Sequence, residues 1–581
     1  MELEKKILEK VNDWLESPYD EETRKAVRDL MDRGDKEDIA DAFYKSLEFG
    51  TGGLRGIMGV GTNRINKYTL GAATQGLSNY LKKQFPAENL RVVLAHDNRN
   101  NAHRFANIVA DVFSANGIKV YFFEDLRPTP ELSFAIRHLK AHSGVMLTAS
   151  HNPREYSGYK AYWKDGGQVV PPHDKNIIDE VQLIDEVKKI RFDRNPDLVE
   201  WIGEEVDRVF VEAVLKASIY PEAIAQMPKL GIVFSPIHGA AVKMVPEVLA
   251  AAGFQNVHLV EEQCIPDGDF PTVIYPNPEE AEAMSMSLEL AERVHAEIAM
   301  ASDPDGDRVG LAVRKPGGGF EMLNGNQTAS LLFHYVMKGW KDLGKLKGDE
   351  YIVKTIVTSG LIEKIAASFG INCYNTLTGF KYIGELITKL EDREVFLTGG
   401  EESYGYLVGD HVRDKDAVVS CLIISEMACW YKIQGKSLFE GLQDIYREYG
   451  LYREKLVSFT KRGKAGLEEI EEMMSRLREQ PPAQIDGEEV RWIRDYQSGR
   501  EYDTRLNTMT QLNLPTSNVL QFITDSGCTV SARPSGTEPK IKFYVSVNSP
   551  FELGADYDQA VISADQKIGK IIAELGISNE G

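Results

Sequence analysis

The sequence predicts an α/β protein: three related α/β domains with largely parallel sheets, followed by a smaller α+β C-terminal region. Three observations carry this. A strand–helix–strand–helix–strand cadence occurs three times, and such alternation implies parallel sheets built from βαβ units. After about residue 455 the cadence gives way to a mixed pattern ending in "CTVSARPSGTEPKIKFYVSV", which reads as strand, loop, strand. The chain has 581 residues, too many for one core, and that length corresponds to roughly three to five domains.

The first unit opens with the apolar strand "RVVLAHD" (91–97), followed by helical "NAHRFANIVADVFSANG". Strand "KVYFFED" (119–125), helical "TPELSFAIRHLK" and a strand ending at Ser150 complete it. The second runs from "KLGIVFSP" through "AAVKMVPEVLAAAGF", "NVHLVEE" and a long helical stretch to "AEIAMASD". The third runs from "YIVKTIVT" through "GLIEKIAASFG", "INCYNTLTG" and "FKYIGELITKL" to "EVFLTGG". Each unit closes its last strand with a polar cluster: "TASHNP" (148–153), "DPDGDR" (303–308) and "GGEES" (399–403). Open α/β sheets bind ligands beyond the carboxyl ends of their strands, so three such ends facing one cleft would form a composite site.

Composition narrows the partners. Apolar residues make up 43% and charged residues 27%, as in ordinary globular chains. A net charge of -21 argues against a nucleic-acid partner, yet leaves room for small phosphorylated substrates in a local basic pocket. The N-terminus is charged and amphipathic without a signal-peptide core, and no run is long enough for a bilayer. The five scattered cysteines form no metal or disulfide pattern, which points to free thiols in a reducing compartment. A cytoplasmic location is expected.

The clusters differ in chemistry. Asp303, Asp305 and Asp307 alternate, and carboxylates this close repel unless a cation sits among them; hard oxygen ligands suit Mg²⁺. A solvated acidic turn fits the same letters. In "ARPSGTEPK" (532–540), Arg533, Ser535, Gly536 and Thr537 fit either an anion nest with a bidentate arginine or a plain hairpin loop. Glu401, Glu402 and Ser403 fit hydrogen bonding to sugar hydroxyls or a helix start; His411, Arg413 and Lys415 fit a phosphate patch or a charged loop. The glycine-rich "EFGTGGLRGIMGVGTNRINKYT" (48–69) is neither a dinucleotide fingerprint nor a P-loop, but can bring Arg55 to an anion. Ser150 beside His151 suggests a hydrolase nucleophile with its base. No G-x-S-x-G elbow is present, and neighbours on an extended strand point to opposite faces. A capping serine and a phosphoryl carrier are the other readings.

Taken in order, "TASHNP", "DPDGDR", "GEES" and "RPSGTEP", with domain-sized gaps, resemble the α-D-phosphohexomutase superfamily, from "FGTGGLRG" to the last motif. Within it the chain is most similar to the phosphoglucomutases, through "TLTGFKYIG" (376–384) and "GEESYGY…DHVRDKD". The resemblance implies four domains, 1–208, 209–325, 326–455 and 456–581, arranged around one central cleft. It implies Ser150 as a phosphoserine, with Asp303, Asp305, Asp307 and the Ser150 phosphoryl group holding Mg²⁺. Glu401 and Ser403 would take sugar hydroxyls. Arg533, Ser535, Gly536 and Thr537 would grip the non-reacting phosphate, with Lys415, Thr378, Gly379 and Lys381 as further substrate contacts. Arg55, His151 and Arg308 would lie near the reacting phosphoryl group. Lys160 stands where the family places a proton-transfer group, able to remove a hydroxyl proton if nearby cations lower its pKa.

One departure is visible. Some bacterial members carry Gly-His directly after the sugar loop, and here Tyr404-Gly405 stands there, leaving His411 as the candidate for that histidine's acid–base work. The resemblance further implies interconversion of α-D-glucose 1-phosphate and glucose 6-phosphate through glucose 1,6-bisphosphate, which is also the activator. Mannose or pentose phosphates are alternative substrates. A monomer is the default.

Overall fold

Strands covered on both faces read as continuous apolar runs, and "RVVLAH" and "IAMAS" become central strands. The computed structural model describes residues 2–47, 53–460, 463–535 and 540–576. It divides into two units: residues 1–324, 380–398 and 403–435 form one, and residues 325–379, 399–402 and 436–581 the other.

In the first unit, six strands make one sheet: β1 (Gly53–Ile57), β2 (Arg91–His96), β3 (Lys119–Phe123), β4 (Ser143–Leu147), β5 (Tyr156–Trp163) and β6 (Val199–Ile202). Their order is β1-β5-β4-β2-β3-β6. The β4-β2-β3-β6 ladder is parallel, whereas β5 runs against it, pairing antiparallel with both β4 and β1. A second sheet holds β7 (Ile232–Ser235), β8 (Val257–Leu259), β9 (Ile298–Ser302), β10 (Val309–Arg314) and β11 (Phe320–Leu323), in the order β11-β10-β9-β7-β8. Here too the centre is parallel and the β10–β11 side antiparallel. The reason is connection length. Only residues 148–155 join β4 to β5, and 303–308 join β9 to β10; a parallel crossover needs a dozen residues or more. Both polar clusters are therefore tips of hairpin-like returns, held from both sides.

Side chains alternate between the faces of the first sheet. Val92, Leu94, Val145 and Leu147 enter one core with Phe113 and Leu77, while Val93, Ala95 and Met146 enter another with Leu132 and Ile136. Each such fully buried side chain contributes about 1.5–3 kcal/mol of transfer free energy. Three helices, Glu2–Trp14, Glu21–Asp32 and Lys36–Phe43, precede β1; Trp14 packs its ring edge-on to Phe43 and Tyr68, 5.6 and 5.7 Å between centroids. Arg64 from the glycine-rich stretch pairs with Asp38 and Asp41 at 2.8 Å, which makes it a fastener of this helical cap.

In the second unit, β12 (Glu350–Thr355) and β13 (Asn372–Thr376) pair in parallel. Of strand β14 (Val395–Gly400), only Gly399 and Gly400 fall in this unit; its first part and β15 (Tyr406–Val408) belong to the first unit, where Thr398 Oγ1 donates to Leu407 O at 2.8 Å. The C-terminal region is mixed as expected, with helices Gly463–Glu479 and Tyr557–Glu574, and its closing strands belong to a larger sheet. Strands β16 (Leu451–Thr460), β17 (Gln484–Ile485), β18 (Glu488–Asp495), β19 (Arg500–Asp503), β20 (Thr508–Gln511), β21 (Leu520–Thr524), β22 (Thr529–Pro534) and β23 (Lys540–Ser549) form an eight-stranded antiparallel sheet. Segments such as "EEVRWIRD", "REYD" and "TMTQ" lack apolar runs because much of their surface is solvated, so no strand signal stands out in their letters.

Candidate active site

The chain leaves β4 through Thr148, whose Oγ1 accepts the Ser150 N–H at 2.8 Å. Ser150 then takes a left-handed conformation, φ 51°. That reversal overturns the expectation drawn from an extended strand. His151 is carried back beside Ser150, with Nδ1 3.2 Å from Oγ. The serine is 3% exposed, and its Oγ donates to Asp303 Oδ2 at 2.7 Å. His151 is no strong base here: burial first, then the charges of Arg308 and Arg55, hold its imidazole well below the ordinary range.

The metal-candidate loop closes on itself. Asp303 Oδ1 accepts the N–H groups of Asp307 and Arg308, each at 3.1 Å. Gly306 has φ 64°, and a Cβ there would lie 2.8 Å from Pro128 Cβ, so both conformation and space call for glycine. Neighbouring segments grip the loop. Thr129 donates its N–H to Asp305 O at 2.8 Å and its Oγ1 to Asp305 Oδ2 at 3.2 Å, and Ala240 N–H reaches Pro304 O at 2.7 Å. One ligand oxygen from each of Asp303, Asp305 and Asp307 lies within 4.8 Å of the others, all three residues being buried. Two more oxygens, Asp305 Oδ1 and Asp307 Oδ1, are buried without a hydrogen-bond partner. Buried oxygens normally find a partner. A set of hard donors with unmet capacity fits a hard divalent cation, and the cluster can hold a metal ion.

Two ammonium groups face the same carboxylates. Lys160 Nζ stands 2.6 Å from Asp305 Oδ2 and 3.3 Å from Asp307 Oδ2, and Lys415 Nζ stands 3.0 Å from Asp307 Oδ2. Burial, and then the neighbouring Asp305 and Asp307 charges, push Asp303 well above the carboxylate range. Burial also acts to raise Asp305 and Asp307. The lysines outweigh it at both, Lys160 foremost for Asp305, and both stay below their usual values. The condition of a lowered Lys160 pKa is not met: desolvation lowers it, but Asp305 and Asp307 more than compensate and hold it above the ordinary value.

The other predicted residues separate by unit. Arg55, on β1 opposite Gly158, has Nη1 3.3 Å from Asn152 Oδ1, beside the serine loop. Arg308 Nη1 pairs with Glu279 Oε1 at 3.0 Å, and its Nε lies 3.8 Å from Asp307 Oδ1. Lys381 Nζ is 4.0 Å from Asp174 Oδ2. Ser403 precedes Tyr404, which has φ 65° and whose O accepts Val309 N–H at 3.0 Å at the start of β10. Gly405 explains itself: a Cβ there would lie 2.0 Å from Lys415 Cδ, on the path that takes this lysine to Asp307. His411 goes elsewhere. Its Nε2 lies 2.8 Å from Asp416 Oδ2, while Asp416 Oδ1 caps the helix Ala417–Ile433. None of its described hydrogen bonds reaches Ser150, Lys160 or the aspartates.

In the second unit, Glu401 Oε1 accepts the Gly379 N–H at 2.8 Å, and Thr378 Oγ1 is buried without a described hydrogen bond. Glu402 is a brace, accepting from Thr355 and Thr358 Oγ1 at 3.1 Å each. Arg533 sits on β22 opposite Lys542, and Ser535 donates its N–H to Lys540 O at 2.6 Å. Gly536 and Thr537 lie outside the described residues.

Three family profiles cover most of this chain: phosphoglucomutase/phosphomannomutase alpha/beta/alpha domain I at residues 46–188, domain II at 208–318 and domain III at 324–449. The chain belongs to the phosphoglucomutase/phosphomannomutase family. A phosphoglucomutase from Staphylococcus aureus (strain MRSA252) is 36% identical over 541 residues, spanning 92% of this chain and 93% of the relative. One from Staphylococcus epidermidis (strain ATCC 35984) is 34% identical over 528 residues, spanning 90% and 94%. Among solved structures, a putative phosphomannomutase from Thermus thermophilus shares the fold at TM-score 0.67 and 23% identity, over 91% of this chain and 99% of that one. The Paramecium phosphoglucomutase pp63/parafusin, in its open form, does so at TM-score 0.69 and 20% identity, over 92% and 95%.

Sequence reasoning missed some residues of this phosphoglucomutase/phosphomannomutase site. Arg99 lies directly under the serine loop and Thr129 on the aspartate loop. Both follow carboxyl ends of strands, β2 and β3, which is the position that singled out the other clusters. Tyr162 and Asp414 are a third omission: the phenol donates to Asp414 Oδ2 at 2.7 Å and steadies the residue before Lys415.

Proposed function

We propose that this enzyme interconverts α-D-glucose 1-phosphate and glucose 6-phosphate by phosphoryl transfer through Ser150, with glucose 1,6-bisphosphate as intermediate and activator. The observation that carries the reading is the 2.7 Å contact of a buried, left-handed serine with an aspartate of a three-carboxylate cluster. Asp303, Asp305 and Asp307, with the Ser150 phosphoryl oxygen, would hold Mg²⁺. That ion would supply positive charge to the transferring group. In the first half-reaction the P–Oγ bond to Ser150 breaks and a P–O bond to a sugar hydroxyl forms, the hydroxyl giving up its proton and Ser150 Oγ taking one. In the second, the P–O bond at the other end of the bisphosphate breaks and P–Oγ re-forms, Ser150 Oγ giving up its proton and the freed sugar oxygen taking one. Lys160 is the proposed relay, its ammonium able to donate to the departing oxygen and then take up the hydroxyl proton. Arg308 and Arg55 would offset the negative charge of the group in flight.

Glu401 and Ser403 would take the sugar hydroxyls, Lys381, Thr378, Gly379 and Lys415 would add substrate contacts, and Arg533, Ser535, Gly536 and Thr537 would take the distal phosphate. His411, as a helix-cap partner, would support the loop that carries Lys415. Domains at 1–208, 209–325, 326–455 and 456–581 are consistent with the three profile intervals. Among the described residues no helix is long and apolar enough to cross a membrane, and a cytoplasmic, monomeric enzyme is the proposed state. A coupled assay offering the 1-phosphates of glucose, mannose and ribose tests the substrate. Turnover highest on the glucose ester is expected; turnover of another ester with none of glucose would overturn the assignment.

A further inference from the structure

Arg99 stands two residues past Asp97 at the carboxyl end of β2, and its side chain is fully buried. Its guanidinium donates to four main-chain carbonyls of one loop. Nη2 reaches Ser150 O and Asn152 O, both at 2.5 Å; Nη1 reaches Pro153 O at 2.8 Å and Tyr156 O at 3.0 Å. Behind it, Asp97 Oδ1 accepts the Arg99 N–H at 2.9 Å, and Oδ2 lies 3.4 Å from Nε. Asp97 is itself anchored, donating its N–H to Leu147 O at 3.1 Å on the strand that feeds the loop. The guanidinium carbon lies 5.3 Å from the centroid of the Phe270 ring.

A buried guanidinium is costly unless its donors are met, and an apolar side chain would fill the same volume without that cost. All four bonds go to residues 150–156, which hold Ser150 in a conformation unfavourable for a residue with a Cβ. Strained backbone of this kind costs of order 1–3 kcal/mol and persists only where its surroundings over-determine it. The arginine fork, with fixed donors in one plane, supplies that determination; a lysine ammonium is a point charge without the fork.

We propose that Arg99, backed by Asp97, is a positioning residue that keeps Ser150 left-handed so that Oγ is turned to Asp303. It rests on the phosphoserine reading above. Its loss displaces the phosphoryl-carrying oxygen while leaving the sugar contacts alone, so kcat falls and KM does not. Misplacement by about 1 Å is enough to lower a rate by about 100-fold.

The test assays wild type, Arg99→Met, Arg99→Lys and Asp97→Asn with glucose 1-phosphate, each normalised to folded protein by melting. Intact mass after glucose 1,6-bisphosphate treatment reports the phosphoryl group on Ser150. Expected are a kcat about 100-fold lower in Arg99→Met, KM within about twofold, and partial recovery of about tenfold in Arg99→Lys. Phosphoryl occupancy should fall in the same order. Unchanged kcat in the Arg99 variants, or a KM that rises as much as kcat falls, overturns the inference. Should Arg99→Met not fold, Arg99→Lys and Asp97→Asn decide: lowered kcat at constant KM supports the role, and wild-type kcat removes it. A wild type that never carries phosphoryl on Ser150 defeats the functional reading instead.

Discussion

Two buried acid clusters sit in the first unit, and they are built to opposite ends. Around Asp303, Asp305 and Asp307, two carboxylate oxygens have no hydrogen-bond partner, and the lysines facing the cluster reach two of the three acids. At Asp207 both oxygens are paired with cations. Arg127 binds both its oxygens, Nε to Oδ1 at 2.8 Å and Nη2 to Oδ2 at 2.9 Å, and Lys243 Nζ reaches Oδ2 at 2.5 Å. The fourth member, Glu131, is fully buried. Burial, then the neighbouring Asp207, push its pKa well above the usual range, favouring the neutral form. Burial, acidity and unpartnered oxygens are common to both clusters, since Glu131 Oε1 and Oε2 also lack a hydrogen-bond partner. What separates a place for a cation from a fastener is the convergence of three carboxylates within 4.8 Å, against one carboxylate already balanced by a guanidinium and an ammonium.

The comparison can be broken by moving charge in each cluster. Asp305→Asn should lower kcat by about 10³-fold and lose less stability than Asp207→Asn, because Lys160 gives up one carboxylate but keeps Asp307. Asp207→Asn should do the reverse. It leaves buried Arg127 without its counter-ion and should cost about 3–5 kcal/mol in denaturant unfolding, with kcat per folded molecule unchanged. Swapped outcomes would mean that the two clusters have been assigned the wrong way round.

Ligand addition sharpens the same contrast. Mg²⁺ at about 100 times its Kd should stabilise wild type by about 2.7 kcal/mol, and the shift should vanish in Asp305→Asn but persist in Glu131→Gln. A shift retained in Asp305→Asn would place the cation elsewhere.

The smallest effect concerns pH. Glu131 has a folded-state pKa raised above its unfolded value of 4.5, so the native state binds the extra proton. Its contribution to stability is full below pH 4.5 and declines as pH rises toward the raised value. Glu131→Gln, already neutral, should lose that part of the slope and lie within about 1 kcal/mol of wild type at low pH. A stability difference that does not change with pH would show that Glu131 is ionised.

Much of the candidate site was legible because its chemistry is concentrated in short letters. Alternating aspartates after an apolar strand, and a serine at the end of another, needed no knowledge of packing. Arg99 and the Asp207 cluster were not legible, since a lone arginine after a strand and scattered helix acids acquire partners only on folding. The left-handed turn at Ser150 was equally hidden, because it depends on Thr148 and Arg99 rather than on the serine itself. In the fold, parallel strands announced themselves by apolar runs, whereas β18 to β20, with solvated faces, did not.

One measurement addresses Ser150 as a phosphoryl carrier directly. The enzyme is charged with glucose 1,6-bisphosphate, freed of excess sugar, and followed by intact mass with peptide mapping as glucose 1-phosphate is added. One phosphoryl group on Ser150, discharged on addition of the sugar as glucose bisphosphate appears, is the predicted result. A mass that never changes, or a phosphoryl group on another residue that turns over while Ser150 stays bare, would contradict it.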